Sequence, residues 1–252
     1  MLDDVEEPEA SGLEVQLRPI QRELLSSQVS AHIRELILMG KLPPGSRVRQ
    51  AEWATTLGVS RMPVRDAISA LAAEGLLLQT PGGSAEVAAL DLDDLGDVHY
   101  LNAIVVALAH RAAAIRITDG ELAEVRALES RMEEAVARGD DSGASHLNWM
   151  FHAAINRAAH STRLVAILRI LSRSTPQSSY EVLPGWSEEA IRDHRKIISA
   201  LERHSPDECF RTTHRHVSLR TEPLLSALKD RLKSPGRPRT MPPPVEPPPA
   251  HR

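Results

Sequence analysis

The sequence predicts a mainly α protein built in two parts: three short helices closed by a small β hairpin, then an all-α bundle of about six helices. Three observations carry that reading. Glycines stand just past three successive apolar-periodic stretches, at Gly40, Gly58 and Gly75, where a left-handed residue ends a helix. A turn-forming stretch, TPGGSA, separates two short apolar runs, as in a hairpin. Beyond Asp91 the strand signal vanishes and apolar residues recur at bundle-helix spacing, as at Leu122, Val125, Leu128 and Met132.

Element by element, the first helix is expected from about Ile20 to Met39, the second from about Gln50 to Leu57 and the third from Arg61 to Ala73. Ser60 suits the N-cap of the third helix, and Pro63 fixes its first turn where the amide N–H has no helical partner. The hairpin strands are expected at Leu76–Gln79 and Glu86–Ala89. Breaks at Thr118–Asp119, Gly139–Asp140, His160–Ser161, Pro184–Gly185 and Ser205–Pro206 divide the second part into helices at roughly 91–116, 119–138, 141–159, 162–174, 187–203 and 206–232. The domains are thus an acidic leader over residues 1–17, a first folded unit over 18–90, a helical unit over 91–232 and a proline-rich tail over 233–252. Leader and tail lack apolar stripes and are expected to be disordered, the tail favouring polyproline II.

With 252 residues and 42% hydrophobic content, the chain can build a real core. No uninterrupted run of about 18 apolar residues occurs, and the acidic start lacks the basic and apolar regions of a signal peptide, so a cytoplasmic protein with no membrane partner is expected. The single Cys209 excludes an internal disulfide framework and reads as a small buried hydrophobe. Net charge is −4, which argues against a nucleic-acid partner until its distribution is considered. Residues 1–17 hold six acids and no base, whereas residues 31–70 carry Arg34, Lys41, Arg47, Arg49, Arg61 and Arg65 against Glu35, Glu52 and Asp66. Phosphates respond to that local charge.

Two arginines, Arg61 and Arg65, open the third helix four residues apart on one face. A helix, a tight L-G-V-S turn and a second helix that presents arginines at its N-terminus meet the needs of a helix-turn-helix DNA reader. Arginine can bond guanine O6 and N7 bidentately, while the helix N-terminus holds phosphate. The run IRELILMGKLPPGSRVRQAEWATTLGVSRMPVRDAISALAAEGLLLQTPGG, residues 33–83, resembles the winged helix-turn-helix of GntR-family transcriptional regulators. Its I-x-x-G-x-L-x-P-G, L-G-V-S-R-x-P-V-R-[ED]-A and L-x-x-E-G-L blocks stand in order at the family's spacing. By that resemblance Arg61 and Arg65 read bases and phosphates, Ser60 and Pro63 position the helix, and the wing at Pro81–Gly83, with Gly82 and Gly83 at its tip, enters the adjacent groove. The chain departs from the pattern in having Gln50 for a common Glu, Ala51 for an arginine of some relatives, and a wing poor in bases. Affinity is therefore expected to lean on Arg47 and Arg49 as well.

The helical part raises a second constellation. His194 lies about ten residues before the Ser205–Pro206 turn and His216 about ten after it, so an antiparallel helix pair brings them to one height. His152 follows Asn148 by one helical turn, on the same face. His214 and His146 point away from those faces. Spacing alone leaves metal binding and buried hydrogen-bonded histidines both open. The stretches LNWMFHAAI, DHRKIISAL and RTTHRHVSL resemble the D-x-x-[FM]-H, E-H-x-x-I-L-x-A-[IL] and M-x-x-H-[LIV] blocks of the FCD effector-binding domain, over roughly residues 91–232.

That resemblance implies a divalent metal, zinc given three imidazoles, on His152, His194 and His216, with Asn148 where relatives have an aspartate. It also implies a small effector, an organic acid in relatives, bound beside the metal. On the first bundle helix relatives carry R-x-x-x-E, and Asn102 and Val106 occupy those positions, which points to a less acidic effector and a more apolar pocket. The fold is then a winged helix-turn-helix followed by an FCD-like bundle. The function implied is a homodimeric, ligand-responsive transcriptional regulator, a repressor by the family's usual habit, bound to a near-palindromic double-stranded operator. Two alternatives differ in class. A DNA-binding protein whose helical half only dimerises fits the Asn148, Asn102 and Val106 substitutions. A helical metalloenzyme fits poorly, because no Glu-x-x-His pair occurs and Asp193 is rotated about 100° from the His194 face.

Overall fold

The computed structural model describes residues 23–81, 83–174, 183 and 185–233. The expectations for the leader, the helix start at 20–22, Gly82 and the tail beyond residue 233 lie outside the described residues. The elements in chain order are α1 (Glu23–Leu38), β1 (Arg47–Arg49), α2 (Gln50–Leu57), α3 (Arg61–Ala73), β2 (Leu77–Thr80), β3 (Ser84–Val87), α4 (Leu92–Arg116), α5 (Asp119–Ala137), α6 (Asp141–Ala158) and α7 (Thr162–Leu171). A 3-10 turn at Ser172–Ser174 follows, then α8 (Trp186–Glu202), α9 (Pro206–Ser218) and α10 (Thr221–Lys233).

The first unit closes around Ile33 and Ile37 of α1, Trp53 of α2, and Val64, Ile68 and Leu71 of α3, all buried. Its sheet differs from the expected hairpin by one strand. β1 pairs antiparallel with β3, so the order is β1-β3-β2, with Val48 placed in the core. Three residues are too few to show a period, and so RVR gave no strand signal. The hairpin is also shifted from its expected ends, because Thr80 pairs with Ser84 and their hydroxyls meet at 2.8 Å.

In the second unit α4 is the central helix, flanked by α6, α7 and α9, while α5 packs on α6 and α8. Ala103, Ala107, Ala109, Ala113 and Ala114 are buried along α4 and let neighbouring helices approach closely. By length and composition α4 could cross a membrane, yet half of its apolar window is buried inside this bundle. The starts follow local chemistry. Asp91 accepts the Asp93 amide at 2.9 Å, Thr118 and Glu121 form a capping box, and the Asp140 carboxylate accepts the Gly143 amide at 2.8 Å.

The expected last helix is two helices, so among the described residues the bundle has seven. Pro223 falls in the first turn of α10, where it cannot donate an N–H and its ring would clash with the carbonyl of Leu219 if the helix ran through. The break at Leu219–Arg220 lets α10 fold back on α4, where Leu224 and Leu228 bury against Leu95. Gly96 permits that approach, since a Cβ there would stand 3.1 Å from Leu225 Cδ1.

The two units touch through charge. Glu74 at the end of α3 accepts Arg34 Nε and Nη2, each at 2.9 Å, and also Arg173 Nη1 of the 3-10 turn at 3.2 Å.

Candidate functional site

The α2–α3 turn is built as a helix-turn-helix requires. Gly58 takes the left-handed conformation (φ 64°), and the Val59 amide donates to Ala54 O at 3.0 Å. Val64, Ala67, Ile68 and Leu71 hold α3 to the core, and Ser60, Arg61 and Arg65 are left exposed. Pro63 is half-buried in the first turn. Ser60 occupies the N-cap, as expected, with extended backbone, and its side chain makes no capping bond. Arg65 Nη2 stands 3.5 Å from Asp66 Oδ1 with both side chains exposed, a weak hold that a phosphate can displace.

Arg47 and Arg49 project from the edge strand β1 into solvent. Each has an acidic neighbour: Arg49 pairs with Glu52 at 2.7 Å, and Arg47 lies opposite Glu86. Gly83 is left-handed (φ 77°), and a Cβ there would stand 3.2 Å from the Gln50 amide nitrogen. The wing therefore rests against the start of α2 through Gln50, a contact that neither a Glu nor a base at this position was needed to make.

The second site lies inside the bundle. His152 on α6, His194 on α8 and His216 on α9 each offer a ring nitrogen within 4.8 Å of the others. His152 Nε2 and His216 Nε2 are 3.1 Å apart, close to the separation of about 3.3 Å for two nitrogens on one tetrahedral zinc. His194 Nδ1 donates to Glu129 Oε2 at 2.7 Å, which leaves Nε2 as the lone-pair nitrogen, buried and without a hydrogen-bond partner. His152 Nδ1 is likewise buried without a partner. On these grounds the residues present fit a metal ion. Asn148 is buried in the same wall. His146 is exposed and His214 sits against the rings of Tyr100 and Phe210, so neither joins the cluster.

Electrostatics keep the cluster neutral. Burial pushes His152 well below the ordinary histidine value, reinforced by the charges of His216, His194, His110 and Arg220. Burial also lowers His194 and His216, against the opposing pull of Glu129 and of Asp193 respectively. Asp193 is not turned away, as its position beside His194 suggested. Its Oδ2 faces His216 Nδ1 at 3.5 Å, and that bond holds its carboxyl far below the usual range. Arg220 Nη1 also reaches His216 Nδ1, at 2.8 Å, and donates to His216 O. His216 thus has two settings: Nδ1 accepting from Arg220, or Nδ1–H donating to Asp193 with Nε2 open to a ligand.

A cavity of about 310 Å³ adjoins the cluster. Asn102, Val106, Asn148, His152 and His216 all line it, together with Trp149, Asn156, Leu168, Arg169, Ser172 and Arg220. The sequence reading missed Glu129 and Arg220. Glu129 carried a signal, since it stands at i+7 from Leu122 and i+4 from Val125, an acid on an apolar stripe. Arg220 gave none, because it was read as part of one long helix.

A winged helix-turn-helix joined to a helical domain that encloses a cavity defines a DNA-binding transcriptional regulator. Residues 25–87 match the bacterial regulatory proteins of the gntR family, and residues 101–219 match the FCD domain. The chain belongs to the GntR family, in the FadR-type branch that carries an FCD domain. It is 28% identical over 78% of its length to 89% of a probable D-xylose utilization operon transcriptional repressor of Paenarthrobacter nicotinovorans. It is 27% identical over 73% of its length to 86% of the HTH-type transcriptional regulator McbR of Escherichia coli strain K12. The solved structure of E. coli McbR/YncC shares the fold, with TM-score 0.67 and 22% identity over 80% of this chain and 97% of that one. These families and relatives are transcriptional regulators, not enzymes.

Proposed function

We propose that the protein is a homodimeric, cytoplasmic repressor whose grip on a near-palindromic operator is set by a small molecule bound in the α4–α6–α7–α9 cavity beside a divalent metal, zinc by its three imidazoles. The single observation that carries this is that two members of the His152–His194–His216 cluster, His152 and His216, line that cavity, with His194 buried behind them. His152, His194 and His216 would hold the ion through neutral imidazoles, with Asn148 as a weak fourth donor or a partner to bound water. The ion supplies a Lewis-acidic anchor for an oxygen of the effector.

Dimerisation is supported by Leu101, Leu108 and Ile115, exposed along α4 at seven-residue spacing. Arg61 and Arg65 of each subunit then meet successive half-sites.

The link between cavity and DNA-binding unit is the 3-10 turn. Ser172 lines the cavity, Arg173 pairs with Glu74, and His99 of α4 bonds the Ser174 backbone. An effector that packs differently against α7 and Ser172 in two states would move Arg173, and with it Glu74 and Arg34. The repressor name of one relative and the regulator name of the other fit this reading.

The test uses an operator selected from randomised duplexes. Binding of the selected duplex is titrated with and without zinc, and again with the cavity-filling variant Ala153→Phe. The wild type is expected to lose or gain at least about fivefold in DNA affinity when a ligand saturates it, the usual scale of coupling, and Ala153→Phe is expected to bind DNA without responding. A variant that still responds would move the sensor elsewhere.

A further inference from the structure

The recognition helix carries one side chain that charge does not explain. Met62, the second residue of α3, is 58% exposed. The helix buries Val64, Ala67, Ile68 and Leu71 against the core. At about 100° per residue, Met62 lies roughly 180° from the centre of that stripe, in the middle of the outward face. Arg65, Asp66 and Ser69, all exposed, flank it there. Arg65 Nη2 stands 3.5 Å from Met62 Sδ, so guanidinium and thioether form one surface. The other exposed large apolar side chains of this unit, among the described residues, are Leu25 of α1 and Leu78 of β2, neither on the recognition helix. A single exposed apolar residue is normal on an ordinary surface. The N-terminal face of a recognition helix differs, because it is the surface that meets base edges.

Base edges in the major groove are hydrogen-bonding groups with one apolar exception, the C5 methyl of thymine. A methionine donates no hydrogen bond and accepts only weakly. Set against a polar edge, it would displace water without replacing the bond that the water made. Set against the thymine methyl, it removes apolar surface from water on both sides of the contact. Its unbranched, polarizable chain adapts to such a contact without exact geometry. Pro63, the next residue, fixes the turn from which Met62 projects.

We infer that Met62 is a specificity-determining residue that reads the methyl group of a thymine in the operator half-site, beside the base pair read by Arg65. Met62 and Arg65 are separated by about 4.5 Å along the helix axis. Stacked base pairs are about 3.4 Å apart. The thymine therefore lies within one or two base pairs of the guanine that Arg65 bonds. The arginines supply affinity for phosphate and guanine, and Met62 supplies a discrimination that charge cannot make. This rests on α3 being the DNA reader and owes nothing to the cavity or the metal.

The experiment uses the full chain and the duplex selected from randomised DNA. Each thymine of that duplex is replaced in turn by deoxyuridine, which deletes the C5 methyl and leaves every hydrogen-bonding group in place. Binding is read by fluorescence anisotropy. In the wild type, one thymine of the half-site, within two base pairs of a guanine, is expected to lose at least about threefold in affinity on replacement, the scale of one buried methyl group. Met62→Gln and Met62→Ser are expected to bind the thymine and uracil duplexes equally, and Met62→Leu to keep the preference. Both polar substitutions fall on an exposed side chain, so helicity by circular dichroism is expected to be unchanged. A selected duplex in which no thymine methyl matters to the wild type overturns the inference. So does a methyl dependence that persists in Met62→Gln and Met62→Ser, which would assign the methyl to another residue. Arg65→Ala is titrated alongside: weakened binding there with a silent methyl scan sinks the Met62 inference alone, whereas unchanged binding there sinks the recognition-helix reading beneath it.

Discussion

Glu129 on α5 and His194 on α8 meet through a 2.7 Å hydrogen bond with both side chains buried. A carboxylate that orients an imidazole through Nδ1 fixes the tautomer whose Nε2 lone pair faces the cluster, and raises its basicity. Glu129→Gln is therefore expected to weaken zinc binding by about 10–100-fold, with the helical fold kept. Competition titration against a chromophoric chelator measures it. Unchanged affinity would leave Glu129 a purely structural partner.

The recognition surface gives a separate expectation. Arg61→Ala and Arg65→Ala should each cost about 1–3 kcal/mol of specific DNA binding, without loss of helicity, because both side chains are exposed and carry no packing. Arg49→Ala should cost less, since Glu52 already shares its charge at 2.7 Å. Fluorescence anisotropy on the selected duplex checks the order. Equal losses at Arg49 and Arg61 would place the base contacts on the edge strand instead.

The Arg173–Glu74 pair has a bounded reach. Arg173 is more than half exposed, so the pair is worth at most about 1 kcal/mol, which is about a fivefold change in an equilibrium. Arg173→Ala should leave DNA affinity without ligand within about fivefold of wild type and reduce the response to ligand. Glu74→Gln should do more, because it also releases Arg34, which Glu74 holds through two 2.9 Å bonds. Full ligand response in both variants would remove the 3-10 turn from the coupling.

How much of this was legible in the sequence depended on whether a residue advertised its partner. Gly58 and Gly75 marked helix ends through their backbone alone, and both carry positive φ in the structure. The meeting of His194 and His216 followed from counting residues about a turn. Strand β1 was hidden, since its existence depends on β3 arriving from almost forty residues away in sequence. Arg220 was hidden for a related reason: Pro223 was the available signal of a helix break, and without it Arg220 falls on a helix surface. Glu129 was visible as an acid within an apolar stripe, but only its partner explains why it is tolerated there.

Acid should destabilise the metal-free protein in a defined window. Burial pushes His110 down to about 3 and holds His152, His194 and His216 below 6.5 as well. These groups are depressed in the folded state, so the unfolded chain binds more protons once pH falls below its ordinary histidine value, and stability is full above that value and declines beneath it. Melting temperature in chelator is expected to be flat from pH 8 to about 7 and to fall towards pH 5. With zinc bound the fall should be steeper, because protons then also compete with the ion. A flat profile down to pH 5 would show that the histidines are not buried as described.

The proposed dimer interface has its own test. Leu108→Glu places a charge in the middle of the exposed α4 stripe, between Leu101 and Ile115, and is expected to yield a monomer that keeps its helicity and binds the palindrome far more weakly. Sedimentation velocity reads the mass. A dimer that survives this substitution would place the interface on another face.

Zinc titration of chelator-stripped protein tests the central account most directly, run side by side on wild type, His194→Ala and Asn148→Asp. The account predicts one zinc per chain at micromolar concentration or below in the wild type, none in His194→Ala, and tighter binding in Asn148→Asp, where a carboxylate replaces an amide oxygen. A wild-type protein that takes up no zinc at micromolar concentration, and melts identically with and without chelator, would contradict it and leave His152, His194 and His216 as structural residues of the bundle.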